Sequence, residues 1–176
     1  RLRFAEKESS DNQAHEIQSA YLAWRSYLVE MKPRIIKMGR IPRPAVLFTD
    51  GCSDQGLVGI GAVLYIDGAT PKYFSAKVLD STFKVWRSRG LTQIIEHAEL
   101  LPVLVIFHIW GQEMRGRNVL SFIDNDGARH ALIKGWTSDR CACSITYRTR
   151  LRMSAIDCGV WYDRVNTHSN PADIPS

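Results

Sequence analysis

The pattern of apolar residues changes along this sequence, and the change separates two regions. Between Ala14 and Met31 apolar residues return every three or four positions, which is typical of one face of an amphipathic helix. Pro33 ends this pattern, and residues 33–44 combine prolines, a glycine and several basic residues in the manner of a linker. We therefore predict an N-terminal helix and linker over residues 1–44 and a separate domain over residues 45–176.

From residue 45 onward, short runs rich in β-branched and aromatic residues alternate with turn-forming residues. Three such runs follow one another closely, which predicts an antiparallel meander of three strands. Two further runs predict strands later in the chain. The five predicted strands are Ala45–Thr49, Ile60–Ile66, Tyr73–Val78, Asn118–Ile123 and Gly159–Val165.

Longer stretches between the later strands predict helices. Thr92–Met114 is mostly apolar, and Pro102 inside it predicts either a kink or the true start of the helix. Asp126–Lys134 predicts a second helix, with Gly135 as its C-terminal cap, and residues 139–156 predict a third. A meander followed by alternating helices and strands predicts an α/β domain with a mixed sheet and helices on its faces.

The composition is that of an ordinary globular protein, with 45% hydrophobic and 23% charged residues. The longest apolar run, Leu100–Trp110, is too short for a membrane span and is interrupted by Pro102 and His108. The N-terminus has no signal-peptide pattern and no starting Met, so we expect a piece of a longer polypeptide that has no membrane partner.

The net charge and the cysteines exclude few functional classes of protein. The net charge of +5 favours a polyanionic partner, because basic side chains neutralise phosphates and release counterions. The four cysteines are Cys52, Cys141, Cys143 and Cys158, and their spacing does not match a zinc site. We therefore expect free thiols and an intracellular, reducing compartment.

Four carboxylates are candidates for a metal site. Asp50 and Asp124 each follow an apolar strand, where sites of α/β sheets gather, although turn and cap residues also occur there. Glu99 lies among apolar residues of the predicted helix, and Glu96, three residues earlier on nearly the same face, is its competitor. Asp173 lies in a proline-containing turn. Converging carboxylates without a Cys or His cage suit Mg²⁺ or Mn²⁺, and two such ions can drive phosphoryl displacement.

Four blocks in this order resemble the ribonuclease H domains of retrotransposon reverse transcriptases. They are Phe48–Gly51 with Gly59–Leu64, Ala98–Leu100, Phe122–Asn125, and Val165–Asp173. The sequences of residues 98–103 and 169–173 are similar to those of the retrotransposon enzymes in particular. The N-terminal helix and basic linker resemble the connection that precedes the nuclease there.

The resemblance implies a ribonuclease H-like fold, with a five-stranded mixed sheet in the order 3-2-1-4-5 and helices on both faces. It implies Mg²⁺-dependent endonucleolytic hydrolysis of the RNA strand of RNA–DNA hybrids by two metal ions, with Mn²⁺ as a substitute. The products would carry 3′-hydroxyl and 5′-phosphate ends. A reverse transcriptase domain would precede the nuclease in the same polypeptide.

The resemblance also assigns roles to individual residues. The metal-binding and catalytic acids would be Asp50, Glu99, Asp124 and Asp173. His168 falls where many members place a histidine that assists proton transfer and product release, and an exposed loop residue is an equal alternative. The hybrid would be bound through phosphates and 2′-hydroxyls. Candidate phosphate contacts, each of which could equally belong to a solvated charged surface, are Arg115, Arg117, Arg129 and Lys134.

Other nucleases with this fold match the sequence less well. Proofreading exonucleases carry a second acid two residues after the first, where this chain has Cys52. Integrases and transposases place their glutamate last, whereas Glu99 comes second here. The alternative that stays open is a domesticated, weakly active or inactive module that serves as a structural or nucleic-acid-binding subunit of a larger assembly.

Overall fold

The structure is a computed structural model that describes residues 14–15, 17–22, 24–26, 28–30, 43–54, 57–88 and 94–176. The chain divides into two units, Arg1–Pro33 and Arg34–Ser176. In the first unit the described residues between 14 and 30 are helical, as predicted. Most of the predicted linker, residues 33–42, and the start of the predicted helix at Thr92 lie outside the described residues.

The second unit is built on a five-stranded sheet. Its strands are β1 (Ala45–Asp54), β2 (Leu57–Tyr65), β3 (Lys72–Lys77), β4 (Asn118–Ile123) and β5 (Gly159–Arg164). They lie in the order β3-β2-β1-β4-β5, with β1, β2 and β3 antiparallel and β4 parallel to both β1 and β5. This confirms the predicted sheet and its strand order, and β1 runs five residues further than predicted (54 − 49 = 5).

Five helices accompany the sheet in the described part of this unit. They are α1 (Asp80–Ser88), α2 (Ile95–Ile109), the short α3 (Gly111–Met114), α4 (Asp126–Lys134) and α5 (Arg140–Ala155). Pro102 lies inside α2 and does not mark its start. Gly135 caps α4 with a φ of 74°, as predicted. Two 3₁₀ turns, Thr167–Ser169 and Pro171–Asp173, follow β5.

The two faces of the sheet differ in burial. On the first face, alternate strand residues such as Leu47, Ile60, Ala62 and Val119 are buried and form one core with the helices. The second face carries Phe48 stacked on Phe122, with ring centroids 5.0 Å apart, and both rings are only partly buried. Helices were expected on both faces. Among the described residues, the helical core lies on the first face, and the C-terminal 3₁₀ turn contacts β1 and β2.

Among the described residues, no helix combines the length and the apolar character that are needed to cross a membrane.

Candidate active site

The carboxylates of Asp50 and Asp124 leave the sheet at the same edge. The parallel pairing of β1 and β4 ends at Phe48 and Phe122, so the residues that follow these partners emerge side by side. Asp50 remains within β1, because β1 continues in its antiparallel pairing with β2. Asp124 directly follows β4, and Asn125 behind it caps α4 by accepting a hydrogen bond from the Ala128 N–H at 3.0 Å. The local structure therefore fixes both side chains at the sheet edge.

Helix α2 brings Glu99 to this edge by an unusually close approach to β1. A Cβ atom at Gly51 would lie 2.3 Å from both the carbonyl carbon and the oxygen of Ala98, so the residue at position 51 must be glycine. The Gly51 N–H donates a hydrogen bond to the Glu99 carboxylate. Glu96, the competitor in the sequence, instead accepts a hydrogen bond from the Thr137 hydroxyl at 3.3 Å. The structure thus brings Glu99 to the two aspartates.

The three carboxylates form a compact group of oxygen ligands. One carboxylate oxygen from each of Asp50, Glu99 and Asp124 lies within 4.8 Å of the others. Asp50 and Glu99 are each only 4% exposed. Oε2 of Glu99 and Oδ1 of Asp124 are buried and accept no hydrogen bond from any described residue. Buried acceptors without partners are costly, and a bound cation would satisfy them, so these residues fit a divalent metal with hard oxygen ligands.

Burial and mutual repulsion raise the pKa values of two of these acids, Asp50 and Glu99. Burial, followed by the charges of Asp124 and Asp50, raises the pKa of Glu99 to about 9. Burial also raises the pKa of Asp50, a hydrogen bond from the Ser176 side chain opposes the shift, and the charges of Asp124 and Asp173 add to it. When no cation is bound, such a site binds a proton that neutralises part of its negative charge.

This proton gives the metal-free protein a specific pH dependence. The pKa of Glu99 is about 9 in the folded protein and near 4.5 when unperturbed, so the folded state holds a proton that the unfolded chain loses between these values. The free energy of unfolding therefore falls as the pH rises from about 4.5 to about 9. In chelator, Glu99→Gln should flatten this slope and raise the free energy of unfolding at pH 7 by roughly 1–3 kcal/mol.

Urea denaturation across this pH range measures the effect, and Glu96→Gln is the matched control. Added Mg²⁺ should stabilise the wild-type protein and leave Glu99→Gln largely unchanged, because the variant has lost a ligand. An unchanged slope in Glu99→Gln would show that Glu99 does not hold the proton.

The turn that carries Asp173 is fastened to the site by Asn170, whose role the sequence analysis missed. Asn170 is 4% exposed, and its side-chain amide donates to the Thr49 carbonyl at 3.1 Å and to Asp50 Oδ1 at 3.3 Å. Its Oδ1 accepts from the Ala172 N–H at 3.2 Å. Asp173 is exposed and lies near enough for its charge to raise the pKa of Asp50, but it is not among the three carboxylates within 4.8 Å.

We expect Asn170→Ala to lower the free energy of unfolding by about 1–3 kcal/mol, because it removes buried hydrogen bonds and leaves their partners unsatisfied. Asn166→Ala is the control, since the Asn166 side chain is exposed and accepts from the His168 N–H at 3.1 Å. Its expected cost is under about 1 kcal/mol. Urea denaturation measures both, and equal losses would contradict the role given to Asn170.

The other predicted site residues lie at varying positions around the carboxylates. His168 is exposed in the first 3₁₀ turn. Arg129 on α4 pairs with Asp126 at 3.0 Å, and Lys134 is exposed at the end of α4. Arg115 and Arg117 precede β4 and so lie at the end of that strand opposite to Asp124. The structure does not bring the two arginines to the carboxylate group, and their predicted phosphate contacts stay predictions.

Solved structures with a similar fold include ribonuclease H proteins. RNase H1 from the halophilic archaeon Halobacterium salinarum matches with a TM-score of 0.56 at 14% identity, covering 75% of this chain and 93% of that chain. The N-terminal RNase H domain of a Mycobacterium tuberculosis protein, solved as a fusion with maltose-binding protein, gives 0.55 at 13% identity, with 76% and 90% covered. LC11-RNase H1 in complex with an RNA/DNA hybrid gives 0.54 at 12% identity, with 74% and 92% covered.

No protein-family model matches the sequence, and a search of the curated proteins found no match. At identities of 12–14%, the structural likeness shows the fold. The chain has the ribonuclease H-like fold, as the sequence predicted.

Proposed function

We propose that this protein is a metal-dependent nuclease that hydrolyses the RNA strand of RNA–DNA hybrids. The observation that carries the proposal is the convergence of Asp50, Glu99 and Asp124 at one sheet edge, with two of their buried oxygens lacking hydrogen bonds. The likeness to ribonuclease H structures, one of them in complex with an RNA/DNA hybrid, supports the choice of substrate.

The three carboxylates would hold Mg²⁺, or Mn²⁺ in its place. Bound there, two ions would activate the attacking water and stabilise the departing oxygen of an in-line displacement. Glu99 and Asp124 offer the oxygens that lack hydrogen bonds. The Asn170 side-chain amide fixes Asp50 by donating a hydrogen bond to the Oδ1 atom of Asp50. Water is largely excluded from Asp50 and Glu99, which strengthens their attraction for cations.

The C-terminal turn would complete the site. Asp173 is exposed near Asp50, where a fourth carboxylate could help to bind the second cation. His168 lies five residues earlier in the exposed turn Thr167–Ser169, and we assign it the proton transfer that the family resemblance implies. Both residues thus keep the catalytic roles that the family resemblance implies, as part of this proposal.

The proposal extends to the setting of the domain. We place the domain in a retroelement polypeptide, C-terminal to a reverse transcriptase domain, because the sequences of residues 98–103 and 169–173 resemble those of retrotransposon reverse transcriptases. We also assign it to an intracellular, reducing compartment, which is supported by the absence of disulfides at Cys52, Cys141 and Cys143.

Cleavage of a defined hybrid tests the activity. The protein is incubated with an RNA–DNA hybrid whose RNA strand is labelled, in Mg²⁺, Mn²⁺ or chelator. We expect internal cuts in the RNA with either metal and none in chelator, with RNA–RNA and DNA–DNA duplexes of the same sequence left intact. Product ends are assigned by their response to phosphatase and ligase.

The competing function is a non-cutting module that binds nucleic acid or protein within a larger assembly. Hybrid binding without cleavage in either metal would favour that module and overturn the nuclease proposal. Equal cleavage of hybrid and RNA duplex would keep the nuclease and overturn its substrate.

A further inference from the structure

A second group of potential metal ligands lies between α2 and α5, apart from the carboxylates. One ring nitrogen of His97, one carboxylate oxygen of Asp139 and the Sγ of Cys141 lie within 4.8 Å of one another. We refer to these three residues as the His97 cluster. The spacing of the cysteines along the sequence matches no zinc site. The structure adds a histidine that lies 42 positions before Asp139.

His97 is held firmly and is incompletely satisfied. Its side chain is 2% exposed, and its ring lies 5.3 Å from the Trp86 ring, measured between centroids. The Nε2 atom shares a hydrogen bond of 2.7 Å with Asp139 Oδ1. The Nδ1 atom is buried without a hydrogen-bond partner among the described residues. The nitrogen that faces Asp139 is therefore Nε2, which would be the metal ligand, and the buried ring is already oriented toward the carboxylate.

Asp139 and Cys141 are positioned by the start of α5. Asp139 is the N-cap residue and accepts from the Ala142 N–H at 2.8 Å, while Cys141 lies in the first turn and is 9% exposed. A carboxylate and a thiolate here would lie at the positive end of a 16-residue helix, which favours their negative charges. The Asp139 side chain is 28% exposed, so a cation can reach the cluster from solvent.

The ligand types select the metal. An imidazole, a thiolate and a carboxylate are the set that zinc prefers, whereas Mg²⁺ takes oxygen ligands. Zinc bonds of about 2.0–2.3 Å place tetrahedral ligand atoms roughly 3.3–3.7 Å apart, which agrees with atoms gathered within 4.8 Å. The His97–Asp139 hydrogen bond would open slightly as the cation replaced its proton.

We propose that the His97 cluster binds Zn²⁺, with water as the fourth ligand, and that the ion ties α2 to the start of α5. The site is distinct from the carboxylate group. Residues 97 and 99 are two positions apart on a helix, so their side chains project about 200° apart around its axis. The zinc would therefore support the helix that carries Glu99 without contacting that carboxylate.

Cobalt substitution tests this site by spectroscopy, without reference to nuclease activity. The metal-free chain is titrated with Co²⁺, and a thiolate-to-cobalt charge-transfer band should appear in the near ultraviolet, together with the intense visible bands of four-coordinate cobalt. Zn²⁺ should bleach both sets of bands at one equivalent. Cobalt at the carboxylates has no thiolate ligand and cannot give the charge-transfer band.

Matched variants assign the band to its ligands. Cys141→Ser should lose the charge-transfer band, whereas Cys143→Ser, two positions further along the same helix, should keep it. Asp139→Asn retains an N-cap side chain and should weaken Co²⁺ binding at least about tenfold. Asp124→Asn should leave the band unchanged, which separates this site from the proposed nuclease centre.

Circular dichroism in chelator shows whether each variant folds, and Asp139→Asn provides a second test should Cys141→Ser unfold. Absence of a charge-transfer band in the wild-type chain would overturn the proposal. A band that survives in Cys141→Ser, or that is lost equally in Cys143→Ser, would also overturn it.

Discussion

Asp124→Asn should lower the rate of Mg²⁺-dependent hybrid cleavage at least about a hundredfold. The substitution keeps the size of the side chain and removes the negative charge of one of three carboxylates whose oxygens gather within 4.8 Å. Asp124 Oδ1 is buried and has no hydrogen-bond partner among the described residues, so cation binding is the interaction that the charge would serve. Initial rates on a labelled hybrid at saturating Mg²⁺ measure the loss.

Asp126→Asn is the matched control for this change. Asp126 lies two residues later at the start of α4, and its carboxylate pairs with Arg129 at 3.0 Å and Arg164 at 2.9 Å. These ion pairs are largely exposed, so their loss should change the rate less than about threefold. Comparable losses in both variants would argue against a metal role for Asp124.

The second large effect is expected at Gly51, where helix α2 meets β1. Gly51→Ala would place a methyl group 2.3 Å from the backbone carbonyl of Ala98, and neither backbone segment can move aside as a flexible side chain would. We expect the free energy of unfolding to fall by about 3 kcal/mol or more. Helix α2 would be pushed away from β1, so cleavage by the remaining folded protein should fall as well.

Gly111→Ala provides the comparison for this substitution. A Cβ at Gly111 would meet its nearest neighbour, the Arg152 guanidinium, at 3.4 Å, and the residue lies in the helix α3. Alanine should therefore be neutral or stabilise the protein by up to about 1 kcal/mol. Urea denaturation measures both variants. Equal stability of Gly51→Ala and wild type would show that the approach of α2 to β1 is less tight than described.

The strands and two of the acids could be predicted because they depend on local patterns, whereas the strand order was implied by the family resemblance. Runs of β-branched and aromatic residues between turn-forming residues located the five strands, and Asp50 and Asp124 were recognised because each follows an apolar run. Glu99 was favoured over Glu96 by its apolar surroundings and family-like context, and the structure brings Glu99 to the aspartates. Each of these features can be recognised from a few consecutive residues of the sequence.

The features that were missed depend on contacts between distant residues. Helix α1 was not predicted; it is only nine residues long, and Trp86 is its only buried residue. The requirement for glycine at position 51 arises from Ala98, and the role of Asn170 arises from Thr49 and Asp50. The His97 cluster likewise joins two helices whose contact cannot be predicted from a local sequence pattern.

The hydrogen bond between Asn170 and Asp50 has a consequence for how the protein is made. It joins residues 120 positions apart, and contacts of such high order form late because a long loop must first be closed. During synthesis the carboxylates of Asp50, Glu99 and Asp124 are all translated well before Asn170. A nascent chain can therefore bring its acids together while Asp50 still lacks its anchor, and the carboxylate site would be complete only after Asn170 has been translated.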